Sequence, residues 1–412
     1  YGKGNYRAET DTFDTWFSSG QWPYATLMAT GDMDRFYPTS VMETGRDILF
    51  LWVTRMIMMG LYRTGKVPFR NIYLHGMVND EHGKKMSKSK GNVINPLEMT
   101  DKYGTDALRL ALTIGITPGN DGTLSEKKIE GYRNFCNKLW NVARFILSQL
   151  PADYSPTPPE PKSLADRWIL EKLHAAIKNV TSDLEKYKFS EAGQRVYSLL
   201  WDDFADWYIE ANKVEPNLDL LVYGLQTILS LLHPIAPFVT EAVWQKMAWQ
   251  KDNLIISEWP EAGKAYSKDA KDFERLQALI AEIRNLKSEV GAGELRLVHV
   301  KDQLIADNHG LVKKLAGVSE IESVGQGSGL ALSSYDAWLD LEPQTIRAYL
   351  KRLQDKQQEQ ASYRDRLKKQ LTNSGYIKSA PPVVVAETKD RLAQAEMLLS
   401  KLDEQIATIR SD

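Results

Sequence analysis

A single cysteine stands in 412 residues. Cys136 therefore has no partner within its own chain, which excludes an internal disulfide and a cysteine-based zinc cluster. Long apolar runs are missing too. None reaches the ~20 residues that cross a bilayer, and no signal peptide opens the chain, so no membrane partner is expected. Net charge is nearly absent: 52 Lys and Arg against 54 Asp and Glu leave −2. No global basic field recruits nucleic acid, so any RNA contact must come from local patches. An initiating methionine is also missing; Tyr1 comes first, as expected of a piece of something longer. What remains is an ordinary globular composition, 43% hydrophobic and 26% charged, long enough for two to four domains.

Residues 84–91 carry the densest chemistry: Lys84, Lys85, Met86, Ser87, Lys88, Ser89, Lys90, Gly91. Gly83 and Gly91 flank the run, and only Met86 is apolar enough to fold inward. The two lysines and two hydroxyls of its five-residue core, Lys85 to Ser89, can swing onto a triphosphate as charge develops in phosphoryl or nucleotidyl transfer. A solvated lysine-rich loop is the plain alternative. A given five-residue string arises by chance in a chain this long roughly once in 10^4 tries.

Upstream, Arg46 to Leu61 is apolar nearly all round, which predicts a buried helix. Ile72 to Val78 is a short apolar run through Gly76, a buried-strand candidate. Helix, strand, loop and helix make half of a doubly wound sheet, where ligands bind at strand carboxyl ends. Residues 126–150 predict a helix, with Phe135, Leu139, Trp140, Ala143 and Leu147 on one stripe. Five prolines between Pro151 and Pro161 predict a stiff linker. Three further stripes predict a helix bundle to about residue 260. They are Trp168, Leu173, Ile177, Leu184; Val196, Leu200, Trp207, Ala211; and Leu225, Ile228, Leu232, Ile235. Pro234 and Pro237 bend or break the last of these helices.

A helix from Phe273 to Val290, a glycine stop and the strand 295–300 predict a small α/β module to about residue 340. After Pro343, Ile346, Leu350, Leu353, Gln357, Gln360, Arg364, Leu367 and Leu371 keep heptad spacing. Beyond Asn373-Ser374-Gly375 and Pro381-Pro382, a second heptad runs through Val385, Thr388, Leu392, Ala395, Leu399, Leu402, Ile406 and Ile409. Two heptad helices and a short turn predict an antiparallel coiled-coil hairpin. Residues 347–378 hold nine Lys or Arg and three Asp or Glu, so 9 − 3 = +6. That imbalance fits either a solvated face or a contact with an RNA backbone. The fold class predicted is multidomain and mainly α: a partial Rossmann-type α/β half-domain, a helix bundle, a small α/β module and the hairpin.

Lys85-Met86-Ser87-Lys88-Ser89 resembles the loop that class I aminoacyl-tRNA synthetases fold over ATP. Asp14-Thr15-Trp16-Phe17-Ser18-Ser19, Glu43 to Trp52, His75-Gly76 and Tyr376 to Pro382 are similar to blocks of the valyl-tRNA synthetase family, downstream of its editing insertion. The resemblance spans essentially the whole chain. It implies ATP as substrate with Mg2+, valine, tRNA(Val), a monomer, and cytoplasmic location. Lys88, with Lys85 assisting, would hold the departing pyrophosphate, and Met86, Ser87 and Ser89 would complete the loop. Asp47 would accept from the ATP ribose, Gly45 would admit the backbone, and His75 and Gly76 would flank adenine. Trp16 and Ile48 would line the valine pocket. Arg347, Lys351, Arg352, Arg364, Lys368, Lys369 and Lys378 would meet tRNA phosphates. No resident metal site is implied. Read without the resemblance, Asp47 is equally a helix N-terminal acid, His75 a structural histidine and Trp16 a core residue.

The implied divisions are 1–125, second half of the catalytic domain; 126–262, anticodon-binding helix bundle; 263–340, connecting module; and 341–412, tRNA-binding arm. The family's His-x-Gly-His string is absent, and the 412 residues alone are expected not to catalyse valine-dependent pyrophosphate exchange. The rival readings are an isoleucyl or leucyl enzyme, opposed by the Asp14 block and the heptads, and a non-catalytic tRNA-binding protein, opposed by a triphosphate clamp it would not need.

Overall fold

Strands β1 (Thr39–Gly45) and β2 (Phe69–His75) pair in parallel, Thr39 opposite Phe69 and Gly45 opposite His75. Parallel neighbours need a crossover, and the helix Thr54–Thr64 supplies it. The structure is a computed structural model describing residues 4, 7, 9–291, 295–324, 329–332, 335–373, 375–376 and 380–410. Two compact units divide the chain: residues 1–160, 169–207 and 218–265 in one, and 161–168, 208–217 and 266–412 in the other.

In the first unit, two expectations are corrected. Arg46 to Leu61 is not one buried helix. It opens with a 3-10 turn, Arg46–Ile48, then a wide π turn, Leu49–Val53. Val53 and Met56 pack with Met42 and Phe69, but Phe50 and Met58 stand 80% and 65% exposed. The strands cover one stripe of the helix and the helix Thr15–Thr30 another, with Gly20 set so closely on Met59 that a Cβ would meet its sulfur at 2.8 Å; Phe50 and Met58 lie outside both. Nor does one buried strand fill 72–78. β2 ends at His75, most of it is exposed, and β3 (Val78–Asn79) pairs instead with β4 (Gly122–Thr123). The break falls at Gly76, where a Cβ would lie 2.0 Å from the Asn120 carbonyl oxygen. Only glycine admits that approach.

The helices that follow are better covered. Glu126–Leu147 buries Phe135 and Leu139, but Trp140 remains 42% exposed and Leu147 only half-buried, so the predicted stripe is narrower than drawn. Leu184 and Trp207, also expected inside, are half-buried. Burial pushes the Cys136 thiol up to about 12, which makes it inert as a nucleophile. Residues 151–161 hold neither helix nor strand and turn at 152–153, and Tyr154 and Thr157 donate to the Asp219 carboxylate at 2.6 and 2.7 Å, which pins the linker. Leu200, Phe204, Leu225 and Ile228 are core, and the Phe204 ring lies so close to Gly224 that a Cβ would meet it at 2.4 Å. The helix Leu218–Leu232 stops before Pro234, and Pro237 begins the next, Pro237–Trp244. Asp106, from the helix Thr105–Thr113, accepts from the Phe238 and Val239 amides at that start, and burial raises its carboxyl above the ordinary carboxylate value.

In the second unit, Ser267–Val290 ends at Gly291 in the left-handed region. A four-stranded sheet follows in the order β6 (Glu320–Ser323), β5 (Arg296–His299), β8 (Ala337–Asp340), β7 (Leu330–Ala331). Helices Pro343–Thr372 and Pro382–Arg410 then pack along their length. Gln357 donates to Asp403, Lys368 pairs with Glu396, and Tyr376 with Thr388. One index falls as the other rises, so the pair is antiparallel. Leu353, Leu367, Ala395, Leu399, Leu402 and Ile406 are buried on the predicted seam; Tyr349 joins them, held by Glu289.

Candidate nucleotide site

The carboxyl ends of β1 and β2 bring three predicted residues together. Gly45 and His75 are register partners, and a Cβ on Gly45 would lie 3.5 Å from His75 Nε2. Gly76 follows directly. His75 Nδ1 bonds the carboxylate of Glu43, two residues earlier on β1. That leaves Nε2 as the ring atom turned toward Gly45. Asp47 is exposed on the turn after β1, with Oδ1 3.8 Å from the Arg46 guanidinium. Trp16 and Ile48 are each half-buried on separate elements, Thr15–Thr30 and Arg46–Ile48.

Arg46 reaches across to the loop 117–122. It donates to the Gly119 carbonyl at 2.7 Å and pairs with Asp121 at 2.9 Å. Asp121 also accepts from the Met77 amide at 2.8 Å. This latch closes the loop over Gly76. Neither Arg46 nor Asp121 was foreseen, because no local signal links residues 75 positions apart.

The lysine loop leaves β3 through Asp80. One Asp80 oxygen accepts from the His82 and Lys84 amides at 3.0 and 2.8 Å; the other accepts from the Asn92 side-chain amide at 2.8 Å. The Asn92 amide, followed by the Lys84 and His82 N–H groups, holds the Asp80 carboxyl below the ordinary value. Asn92 oxygen accepts from the Ser87 amide at 3.0 Å, and its nitrogen also faces the Lys85 carbonyl at 3.3 Å. Ser87 and Ser89 hydroxyls lie 3.2 Å apart. Met86 packs against the core of Tyr103, Ala107, Leu108 and Leu124, as the only inward residue should. Lys85 is exposed and bridges to Asn79; Lys88 opens a 3-10 turn, Lys88–Lys90, and its side chain lies outside the described residues. Asp80 could have been suspected from Asp80-Glu81-His82-Gly83, a turn-forming string.

The basic hairpin residues separate into two groups. Arg347, Lys351 and Lys369 are exposed. Arg352 donates to the Val290 carbonyl at 2.9 Å, Arg364 pairs with Asp365 at 2.7 Å, and Lys368 with Glu396 at 2.7 Å. Lys378 lies outside the described residues. Among the described residues, no group of three or more His, Cys, Asp or Glu could hold a metal ion, and no helix is long and apolar enough to cross a membrane.

Comparison with known proteins follows the same order along the chain. Residues 1–125 match the model of class I tRNA synthetases (I, L, M and V), residues 166–300 the anticodon-binding domain of tRNA ligase, and residues 346–410 the valyl tRNA synthetase tRNA binding arm. The valine–tRNA ligase of Thermotoga maritima is 37% identical over 98% of this chain and 49% of its own length. That of Bacillus subtilis is 36% identical over 94% and 48%. The chain thus spans about half the length of the curated relatives it matches. The LeuRS of Agrobacterium radiobacter K84, solved as a ternary complex with tRNA and LeuAMS, superimposes on 71% of the chain and 35% of its own, with a TM-score of 0.55 and 21% identity, a likeness of fold. Three models in this order, together with relatives of one kind matched along nearly the whole chain, establish that it belongs to the class I aminoacyl-tRNA synthetases as a C-terminal portion of the valyl type.

Proposed function

We propose that the protein to which these residues belong activates valine with ATP and loads it onto tRNA(Val). A valine carboxylate oxygen attacks the α-phosphorus, the bond to the β-phosphate breaks, and pyrophosphate leaves. A ribose hydroxyl at the tRNA 3′ end then attacks the valyl carbonyl, and AMP departs. The observation that carries this reading is the lysine loop, rooted beside β3, in a chain similar to valine–tRNA ligases along nearly all its length. Lys85 and Lys88 take the triphosphate, each contact being worth roughly 1.5–3 kcal/mol. Asp47 takes the ribose, and Gly45, His75 and Gly76 form the adenine side. Trp16 and Ile48 line the valine pocket. Mg2+ would arrive with the triphosphate, since the described residues offer it no cage of their own, and no step is routed through it.

The divisions 1–125, 126–262, 263–340 and 341–412 serve catalysis, anticodon binding, connection and tRNA-body binding in a monomeric, cytoplasmic enzyme. In the full-length protein, Lys88→Ala lowers the adenylation rate by ~10²–10³ while valine affinity holds. Pre-steady-state kinetics with weakened valine binding and a normal rate would overturn the assignment. On the hairpin, Arg347, Lys351 and Lys369 are the phosphate contacts, because Arg352, Arg364 and Lys368 are already engaged. Replacing all three with Gln flattens the log–log salt dependence of tRNA binding by roughly 2–3. An unchanged slope leaves the hairpin a solvated face.

A further inference from the structure

Asn92 and Asp80 form a joint that divides the lysine loop into a fixed root and a free tip. Asp80 is the last residue before the loop departs, and Asn92 the first after Gly91 closes it. Through the Asp80–Asn92 bond, the two ends of an eleven-residue excursion are tied at 2.8 Å. The tie reaches further inward. Asn92 grips the Ser87 amide at 3.0 Å and faces the Lys85 carbonyl, one on either side of Met86, whose side chain is seated on the core. The Asp80 amide donates to the Lys84 carbonyl at 2.9 Å, and the Gly83 amide returns to Asp80 at 2.9 Å. The backbone is thus hydrogen-bonded at Asp80, at His82 through Lys85, and at Ser87. The stretch 88–91 forms the 3-10 turn Lys88–Lys90, is joined to the root at Ser87 by the Lys90 amide at 3.1 Å and the Ser89 hydroxyl at 3.2 Å, and ends on Gly91 in the left-handed region.

Fixed and free parts have different consequences for a cationic loop. A lysine on a chain free over eleven residues spends most of its time away from the phosphates. One on a four-residue tip, pivoting from a tied root, searches a small volume. The difference is entropic and is settled before substrate arrives. We propose that Asp80 and Asn92 are positioning residues for adenylate formation: they tie the root so that only the tip carrying Lys88 moves onto the triphosphate. This rests on reading the loop as the triphosphate clamp.

The bond has a direction that makes it testable. Asp80 accepts at both oxygens, while Asn92 donates to Asp80 and accepts from Ser87. Asp80→Asn sets amide against amide. Asn92→Asp sets carboxylate against carboxylate. The double exchange Asp80→Asn/Asn92→Asp restores the tie with its polarity reversed: position 80 still accepts from His82 and Lys84 and now donates to position 92, which still accepts from Ser87. Only the 3.3 Å contact to the Lys85 carbonyl is lost. The exchange also preserves net charge, so a charge effect and a geometric effect part company.

Two measurements decide. Trypsin cleavage among Lys84, Lys85, Lys88 and Lys90 is timed on the 412-residue chain and its variants. Each single variant is cut about fivefold faster than the parent, and the double exchange returns to within about twofold. In the full-length protein, each single variant lowers the maximal rate of valine-dependent pyrophosphate exchange by about 10–100-fold with the valine KM within about twofold, and the double exchange recovers most of it. Single variants cut at the parental rate, a loss confined to the valine KM, or a double exchange as poor as the singles would each overturn the proposal. A full-length parent that exchanges with no amino acid would sink the clamp reading instead, and the trypsin series would still decide the tie.

Discussion

Two parts of the first unit both carry large apolar residues and bury them to different extents. In the helices after residue 126, Phe135, Leu139, Leu200, Phe204, Leu225 and Ile228 are all buried. Around β1 and β2, Met42, Val53, Met56 and Phe69 make a small core with Tyr24 and Tyr37 also buried, while Phe13, Phe50 and Met58 stand in water. Helices supply surface on several sides, so each new stripe finds a partner. Around the two strands and their crossover helix the cover is partial: Gly20 packs on Met59 and Tyr73 on Phe189, while Phe50 and Met58 find no such partner surface. Apolar residues predict burial only where the architecture provides a second surface.

The largest effect expected from this contrast is at Phe204. Phe204→Ala vacates a ring fully inside the bundle and pressed against Gly224. It lowers the unfolding free energy by about 3–5 kcal/mol, read from urea denaturation of the chain. A loss below about 1 kcal/mol would mean the bundle is no better packed than the β1–β2 section.

Two carboxylates sharpen the contrast through pH. Folding raises Asp106, by burial at the bundle, and lowers Asp80, by the Asn92 amide in the open loop. A raised group contributes fully below the ordinary value of 3.8 and loses its contribution as pH rises through its folded value. A lowered group contributes above 3.8 and loses it as pH falls through its folded value. Between about pH 3 and 6, the wild type should lose ground to Asp106→Asn as pH rises and gain on Asp80→Asn. Urea midpoints of the three chains across that range check it; slopes of the same sign would refute the two assignments.

The smallest effect is at the bare face. Phe50 is 80% exposed, and Phe50→Ala should change unfolding by less than about 0.5 kcal/mol. A cost of several kcal/mol would mean that something covers this face in the chain under test.

Much of this was legible beforehand, for local reasons. Pro234 and Pro237 marked a helix break because proline cannot continue a helix, and the heptads from Ile346 and Val385 drew both sides of the hairpin seam. The failures share a cause. The Arg46–Leu61 run reads as buried from its composition, but burial depends on what lies opposite. Trp140 fits a helical stripe, yet the stripe is wider than the surface that receives it.

The sequence alone determined the lysine loop, Met86 as its inward anchor, the proline boundaries and the paired heptad helices. Each is written within a few residues, where chain geometry sets the meaning of spacing. Only the tertiary structure decided that Glu43 meets His75, that Arg46 latches the loop at Gly119 and Asp121, and that Asn92 closes on Asp80. Those pairs depend on strand register and on where a loop returns, and both are fixed by packing among residues far apart in the chain.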